Sequence, residues 1–423
     1  MEYKKYKLGD ICKIFGRIGF RGYTTEDLVS SPANGAISLS PSNIVDGVMD
    51  LSKCTYISWE KYEESPEIKI APNDIVIVKT GNSYGRTAII RNVEHPMTLN
   101  PQFVVLKNIR INPVYLAYFL KTNEFQKQVY GIVGGSAIPT LSQENLASLI
   151  VRVPNENIQN TIADILDSLD GKIELNKQIN DNLEAMAKQL YDYWFVQFDF
   201  PNEEGKPYKS SGGTMVWNEK LKREIPKGWS CESLQNICSI KRGASPRPID
   251  EYMDSSCNGM PWVKISDATV SSSPFLTQIK ECIIQEGVSK SVRVIPNTLI
   301  VSNSATPGIP KFIQLEACVH DGWLVVTNYN EVFTYYLYYV IKMIRQNLLH
   351  MASGSIFKNL KTDYLKEFIC IIPHMNILEL YHKKVEKIMK QILNHQNNTE
   401  ELTRQRDELL PLLMNGQASV NSD

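Results

Sequence analysis

The chain repeats itself, and each copy ends in a helix too long to stand alone. Near residue 135 it reads GGSAIPTLSQENLASLIVRVP, and near residue 354 SGSIFKNLKTDYLKEFICIIP. Gly135 and Gly354 are 219 apart, as are Leu141 and Leu360, Leu146 and Leu365, and Pro154 and Pro373. Two earlier pairs support the duplication. YKLGDICKI (6–14) aligns with ESLQNICSI (232–240), and IAPNDIVIVKTGNSYG (70–85) with VIPNTLIVSNSATPG (294–308). The offsets of 226, 224 and 219 drift through small insertions, which loops tolerate. An internal repeat decides architecture before any local signal does.

Each copy has the same coarse order. Short β-rich runs and Gly/Pro/Asn loops come first, roughly 1–110 and 229–330. A helical patch follows at 112–131 and 334–351, then the Gly-Ser mark, a Leu-rich turn and a last strand. The small Gly and Ser allow a tight bend, and each Pro is expected to open a helix at its first turn. FDFPNEEGKPYKSSGGT (198–214), polar and rich in Gly and Pro, reads as a linker between the copies.

After Pro154, apolar residues fall at Ile158, Ile162, Ile165 and Leu169, then at Ile179, Leu183, Met186, Leu190 and Tyr193. The steps of four and three trace a coiled-coil seam, interrupted by Lys172 and Asn176. After Pro373 the seam runs Tyr381, Val385, Ile388, Ile392, His395, Thr399, Leu402, Arg406 and Leu409. At the 219 offset, Asn176 aligns with His395, so both seams turn polar at the same place. About 40 helical residues span roughly 60 Å at 1.5 Å each. Such a stripe needs a partner, and the simplest one is its own copy, packed antiparallel about an approximate two-fold. The alternative is that each helix covers only its own domain, since an apolar stripe is often a core face. A polar seam residue more often sets register than binds a ligand.

The expected architecture is α+β: two α/β domains joined by two long helices forming an antiparallel intramolecular coiled coil with pseudo-two-fold symmetry. The segments are 1–153, a first domain; 154–199, the first spacer helix; 200–228, a linker; 229–372, a second domain; 373–416, the second spacer helix; and 417–423, a tail. With 423 residues the chain exceeds one ordinary core. It shows no run of about 18 apolar residues and no secretory leader pattern at its start. The eight cysteines are scattered, with no CxxC pair, and read as reduced thiols of a cytoplasmic protein.

No active-site constellation emerges. NPQF (100–103) approaches the Asn/Asp-Pro-Pro-Tyr/Phe string with which adenine methyltransferases hold a flipped base. Gln102 stands where the second proline belongs, and no Gly-rich cofactor loop accompanies it, so it reads as a loop-to-strand junction. GNSYGRT (81–87) lacks phosphate-loop spacing. A net charge of −1 does not advertise a nucleic-acid binder, so such a role must rest on local patches. Polar loops do recur at matched places. GRIGFRGY (16–23) offers Arg17, Arg21 and Tyr23, and KTGNSYGR (79–86) offers Lys79, Asn82, Ser83, Tyr84 and Arg86. KRGASPRP (241–248) offers Lys241, Arg242 and Arg247. SNSAT (302–306) offers Asn303, Ser304 and Thr306, and KNLK (358–361) offers Lys358 and Lys361. Arg and Lys suit guanine edges and phosphates, whereas Asn and Gln suit adenine. Any one of these loops could equally be a solvated loop; their recurrence favours binding.

The two Gly-Ser marks, IADILDSLDGKIELNKQINDNLEAMAKQLYDYWFVQFDF (162–200), EGKPYKSSGG with EIPKGW after it, and LTRQRDELLPLLMNGQ (402–417) carry a resemblance. Over nearly its whole length the chain resembles the DNA-specificity subunit of type I restriction–modification systems. The resemblance implies two target recognition domains, each reading half of a split asymmetric double-stranded DNA site. It implies an antiparallel coiled coil that spaces them and docks two methyltransferase subunits, with restriction/translocase subunits in the full complex. It also implies no chemistry and no cofactor in this chain, S-adenosylmethionine binding to the partner methyltransferase. Two rivals stand beside it: a self-sufficient adenine methyltransferase using NPQF, and a coiled-coil adaptor without DNA contact.

Overall fold

The computed structural model describes residues 2–19, 22–45, 47–133, 140–270, 272–351 and 360–418. Both Gly-Ser marks therefore lie outside the described residues. The chain divides into two compact units, Met1–Ile173 with Glu401–Asp423, and Glu174–Glu400. The boundaries fall inside the two long helices, not at their starts. Each unit thus takes one stretch of each helix into its own core. No helix among the described residues is long and apolar enough to cross a membrane.

In the first unit, Lys13–Gly16, Phe103–Lys107, Ile75–Val78 and Thr87–Ile89 form an antiparallel sheet in that order. A second sheet runs Met97–Leu99, Gly35–Leu39, Tyr56–Ser58, Leu28–Val29, with its first pair parallel. The runs IVIV and FVVL are apolar throughout because both faces of the first sheet are covered. Val76, Val78, Phe103 and Val105 point to the second sheet, meeting Ile37, Leu39 and Leu99. Ile75, Ile77, Val104 and Leu106 point to helices, meeting Leu116, Phe119, Ile162, Leu166 and Leu413.

The second unit repeats this plan. Ser239–Arg242, Trp323–Thr327, Leu299–Ser302, Pro310–Ile313 and Phe275–Leu276 make one sheet. The other runs Met253–Asp254, Cys282–Ile283, Met260–Val263, Ala317–Val319, Val292–Val294. Leu299, Val301, Leu324 and Val326 face helices, while Ile300, Trp323 and Val325 face Val263, Ile313 and Val319.

The first helical patch is two helices, Pro113–Lys121 and Asn123–Val133. Asn112 caps the former, its Oδ1 accepting from Val114 N at 2.9 Å and Tyr115 N at 3.0 Å, with Pro113 at the first helical position. The matched patch is one helix, Thr334–Met351.

The long helices are Glu156–Tyr191, continued by a π-helical turn Asp192–Val196, and Met375–Met414. Each begins two residues after its proline. Pro154 therefore guides the chain out of Ile150–Val153, and Asn155 is the cap, accepting from Ile158 N at 3.0 Å. The helices run antiparallel within each unit. In the first, Arg406 Nη1 meets Asp170 Oδ1 at 2.9 Å. In the second, His395 Nδ1 lies 3.0 Å from Asn176 Oδ1, and Asn180 Nδ2 donates to Ile392 O at 3.1 Å. The two polar seam positions matched by the repeat are thus each other's partners.

The seam differs in detail from the apolar pattern. Ile162, Leu166, Ile173, Ala187 and Tyr191 are buried, with Ile165, Leu169, Asn176, Ile179, Leu183 and Leu190 half-buried, but Met186 is 55% exposed and Ala187 takes its place. On the second helix Val385, Met389 and Ile392 are buried, with Ile388, His395, Leu402 and Leu409 half-buried. Asn176 and Asn180 carry the stripe through the polar middle, and a small Ala carries it on, so a pattern of large apolar residues loses the thread.

Two further expectations change. The 200–228 linker is folded: Phe200 stacks on both Tyr208 and Trp229 at 4.7 Å, and Met215–Asn218 pairs with Arg223–Pro226. Cys257 and Cys282 form a disulfide rather than two thiols, with Cα atoms 5.0 Å apart. Asp254 and Pro261 both pair with Cys282, which folds the connection carrying Cys257 back over it. The other six cysteines are free.

Candidate nucleic-acid interface

The same main-chain frame recurs in both units. Lys79 N–H donates to Gln102 O at 2.8 Å and Lys79 O accepts from Leu141 N at 2.8 Å. In the second unit Asn303 N–H donates to Gly322 O at 2.7 Å and Asn303 O accepts from Leu360 N at 2.8 Å. Gly85 N and Gly308 N close the loops onto Val78 O and Ser302 O. Both glycines have positive φ, 83° and 85°, which a side chain would strain. The frame ties the loop after one central strand to the turn before its neighbour. That turn is Asn100-Pro101-Gln102 in the first unit and His320-Asp321-Gly322 in the second.

Each frame borders a cleft. In the first unit it has about 400 Å³ and is lined by Ser40, Ser42, Thr80, Asn82, Ser83, Arg86 and Gln102 among others. Asn82 and Arg86 are exposed. Burial pushes the Lys79 ammonium below its ordinary pKa. Tyr84 turns instead to Tyr130, ring edge to ring face at 5.4 Å. Arg17 is 5% exposed, donating through Nε to Leu99 O at 2.9 Å and through Nη2 to Thr98 Oγ1 at 3.2 Å. Its guanidinium also lies over the Tyr23 ring, and the Tyr23 hydroxyl accepts from Ser38 Oγ at 2.9 Å. These two residues brace the sheet edge. Arg21 lies outside the described residues.

The second cleft has about 840 Å³, with Arg247, Ser304, His320 and Asp321 around apolar walls that include Pro246, Trp262 and Ile265. Lys241, Arg242 and Arg247 are exposed. Asn303 is buried and serves the frame; Thr306 is half-buried in the same loop, its N–H donating to Ser304 O at 2.7 Å. Lys361 is exposed just ahead of Thr362–Glu367, and Lys358 lies outside the described residues. Burial lowers the His320 pKa, favouring neutral imidazole, and its Nδ1 accepts from Gly322 N at 2.7 Å. A hydrogen bond from Ser245 holds the Asp321 carboxyl below its ordinary range.

Sequence reasoning set Gln102 aside with NPQF and passed over His320 and Asp321. The repeat held the signal: NPQF and HDGW lie 220 apart, between the offsets already noted. NPQF is a turn into Phe103–Lys107, where Asn100 Oδ1 accepts from Gln102 N at 2.9 Å and Asn100 Nδ2 donates to Gln102 Oε1 at 3.2 Å. Among the described residues no group of three or more His, Cys, Asp or Glu could hold a metal ion.

Fold and clefts define a class: duplicated α/β modules on paired antiparallel helices, each with a polar-rimmed cleft on a shared main-chain frame. The family model described as the type I restriction modification DNA specificity domain matches residues 1–185 and 226–409. The chain is 25% identical over 483 aligned residues to the specificity subunit of the type I restriction enzyme HindI of Haemophilus influenzae, covering 98% of this chain and 99% of that one. It is 26% identical over 369 residues to the MjaIX specificity subunit of Methanocaldococcus jannaschii, covering 85% and 81%. The crystal structure of a type I restriction–modification S subunit from M. genitalium shares the fold, with a TM-score of 0.59, 15% identity, and 97% and 96% coverage. The chain belongs to the DNA-specificity subunit family of type I restriction–modification systems.

Proposed function

We propose that each unit reads one half of a bipartite, asymmetric DNA site at its cleft. The paired helices set the gap between the half-sites and dock two methyltransferase subunits, with restriction/translocase subunits joining the full complex. The chain itself performs no chemistry, and S-adenosylmethionine binds on the methyltransferase partners. The assembly works in the cytoplasm, where its DNA is. The observation that carries this reading is the duplicated frame: one scaffold, built twice, presents two differently lined clefts. Asn82, Ser83, Arg86 and Gln102 face one half-site, and Arg242, Arg247 and Ser304 the other. Arg17, Tyr23, Tyr84 and Asn303 support these surfaces from within. The engaged Asn100 amide speaks against NPQF as a flipped-base clamp, because both its ends are already bonded. Mapping methylated adenines in cells carrying this chain with its partners tests the reading. The expected motif is two short half-sites separated by a fixed unread gap. A single contiguous motif, or methyl transfer by the purified chain alone, would overturn it.

A further inference from the structure

At the rim of the second cleft two arginines converge on one carboxylate. Arg242 Nε donates to Asp321 O at 2.6 Å, and its Nη2 lies 3.8 Å from Asp321 Oδ2. Arg247 Nη2 lies 3.6 Å from that same oxygen, while its side chain is 83% exposed. The carboxylate is itself fixed: Ser245 Oγ donates to Oδ1 at 2.8 Å and accepts from Asp321 N at 3.3 Å. His320 Nδ1 stands 3.6 Å from Oδ1, with its lone pair taken by Gly322 N–H. Two guanidiniums and one carboxylate leave a net positive charge. Arg242 is tied by a main-chain bond and Lys264, which also lines the cleft, is paired with Glu281 at 2.5 Å, so of the two arginines Arg247 is the one left to meet a ligand.

A carboxylate on a DNA-facing rim has a cost, since it repels the phosphates that supply most of a DNA binder's affinity. What it gives in return is order. An exposed arginine samples many rotamers, and a bidentate contact to a guanine edge requires one. Asp321 is poorly placed to read cytosine itself, because Oδ1 is bonded to Ser245 and Oδ2 faces both arginines. The cleft behind Arg247 is walled by Pro246, Trp262 and Ile265, which suits a base edge better than a hydrated phosphate. The first unit has Pro101 at the matched place and no carboxylate. Resting on the bipartite reading above, we propose that Asp321 is a positioning residue that aims Arg247 at a guanine in the second half-site.

The test uses the full chain reassembled with its methyltransferase partners and selection from a DNA library randomised across both half-sites. Four forms are compared: wild type, Asp321→Asn, Arg247→Ala and the double variant. Asn keeps the shape and the Ser245 contact but loses the charge. Arg247→Ala is expected to lose about 5- to 150-fold discrimination at one G·C pair of the second half-site. Asp321→Asn should lose a smaller part of it, up to about 5-fold, at the same pair, because an exposed ion pair orients its partner only weakly. The double variant should read no worse than Arg247→Ala, since both changes remove one interaction. The first half-site should be unchanged. Unaltered preference in Asp321→Asn would overturn the inference. So would an even loss over all sequences, which marks a phosphate contact, or losses at different base pairs. Should Asp321→Asn fail to fold, Arg247→Ala on its exposed side chain keeps the test: unaltered preference there overturns the inference as well. If wild type selects no bipartite site, the parent reading fails; if it does and Asp321→Asn reads normally, only this inference fails.

Discussion

The seam of the first long helix offers a sharp test, because the apolar pattern and the structure disagree over adjacent residues. The pattern puts Met186 in the seam, whereas the structure buries Ala187 at 0% exposure and leaves Met186 55% exposed. An aspartate introduced at each position should separate the two. At 187 the carboxylate would enter a cluster with Tyr191, Trp194, Tyr381 and Val385 and gain no partner charge from that cluster. Protonating it at pH 7 costs about 4 kcal/mol, since a carboxylate's ordinary range lies some three units lower and each unit is about 1.4 kcal/mol. The added bulk costs about another 1–3 kcal/mol. Ala187→Asp should therefore lose roughly 5–7 kcal/mol, a large share of a domain's stability. Met186→Asp should lose less than about 1 kcal/mol, mostly helix propensity and a partial contact. Trp194 is a nearby fluorescent reporter for urea titrations of the full chain. The sign of the pH effect is a second check. A buried carboxyl has its folded-state pKa raised, so the folded form binds the extra proton and the Ala187→Asp deficit shrinks as pH falls from 7 toward 4. If Met186→Asp proves the damaging change and Ala187→Asp the mild one, the helix is turned as the apolar pattern reads it, and Ala187 does not face the core.

Arg17→Ala should destabilise the first unit by about 2–3 kcal/mol by removing charged hydrogen bonds to Leu99 O and Thr98, whereas Arg86→Ala should stay within about 0.5 kcal/mol in a thermal melt yet alter preference in the first half-site. Lys311 is 2% exposed, its Nζ donates to Ser273 O, and burial pushes its pKa down to about 8. The unfolded chain then binds more protons between about pH 8 and the ordinary lysine range, so stability rises with pH across that window. Lys311→Met should remove this rise, so its unfolding midpoint relative to wild type should be highest below pH 8 and decline toward pH 10.

The repeat made the architecture legible. It showed two units, two long helices and the matched loops around Lys79 and Asn303. What stayed hidden followed from chemistry that a pattern of apolar residues cannot register. Ala187 is too small to mark a seam. The stacking of Phe200 between Tyr208 and Trp229 folds a stretch whose Gly and Pro content reads as a linker. Cys257 and Cys282 are 25 residues apart, and only the strand pairing brings them together. Arg17 has the right type for a DNA contact, but its neighbourhood claims it for Leu99 O. Gln102 and Asp321 belong to turns whose value shows only when the repeat is followed between its obvious marks.

The frame also explains why the two halves match so little in sequence. The bonds that shape each cleft run between main-chain atoms, Lys79 N to Gln102 O in one unit and Asn303 N to Gly322 O in the other. A main-chain bond makes almost no demand on side-chain identity, so Lys can stand where Asn stands, and Gln where Gly stands. The residues that must be kept are those the backbone cannot do without: Gly85 and Gly308 at positive φ, and the alternating apolar residues of the central strands. Everything that lines the clefts is free to differ, and it does. One cleft is small and dominated by hydroxyl, amide and Arg86 groups, while the other is about twice as large with apolar walls and an Arg–Asp–Arg rim. A scaffold whose cleft residues carry little of its stability can change what it reads without refolding. That separation predicts a division of labour: stability losses from Arg17, Ala187 and the strand cores, and altered reading from Arg86, Arg247 and Asp321.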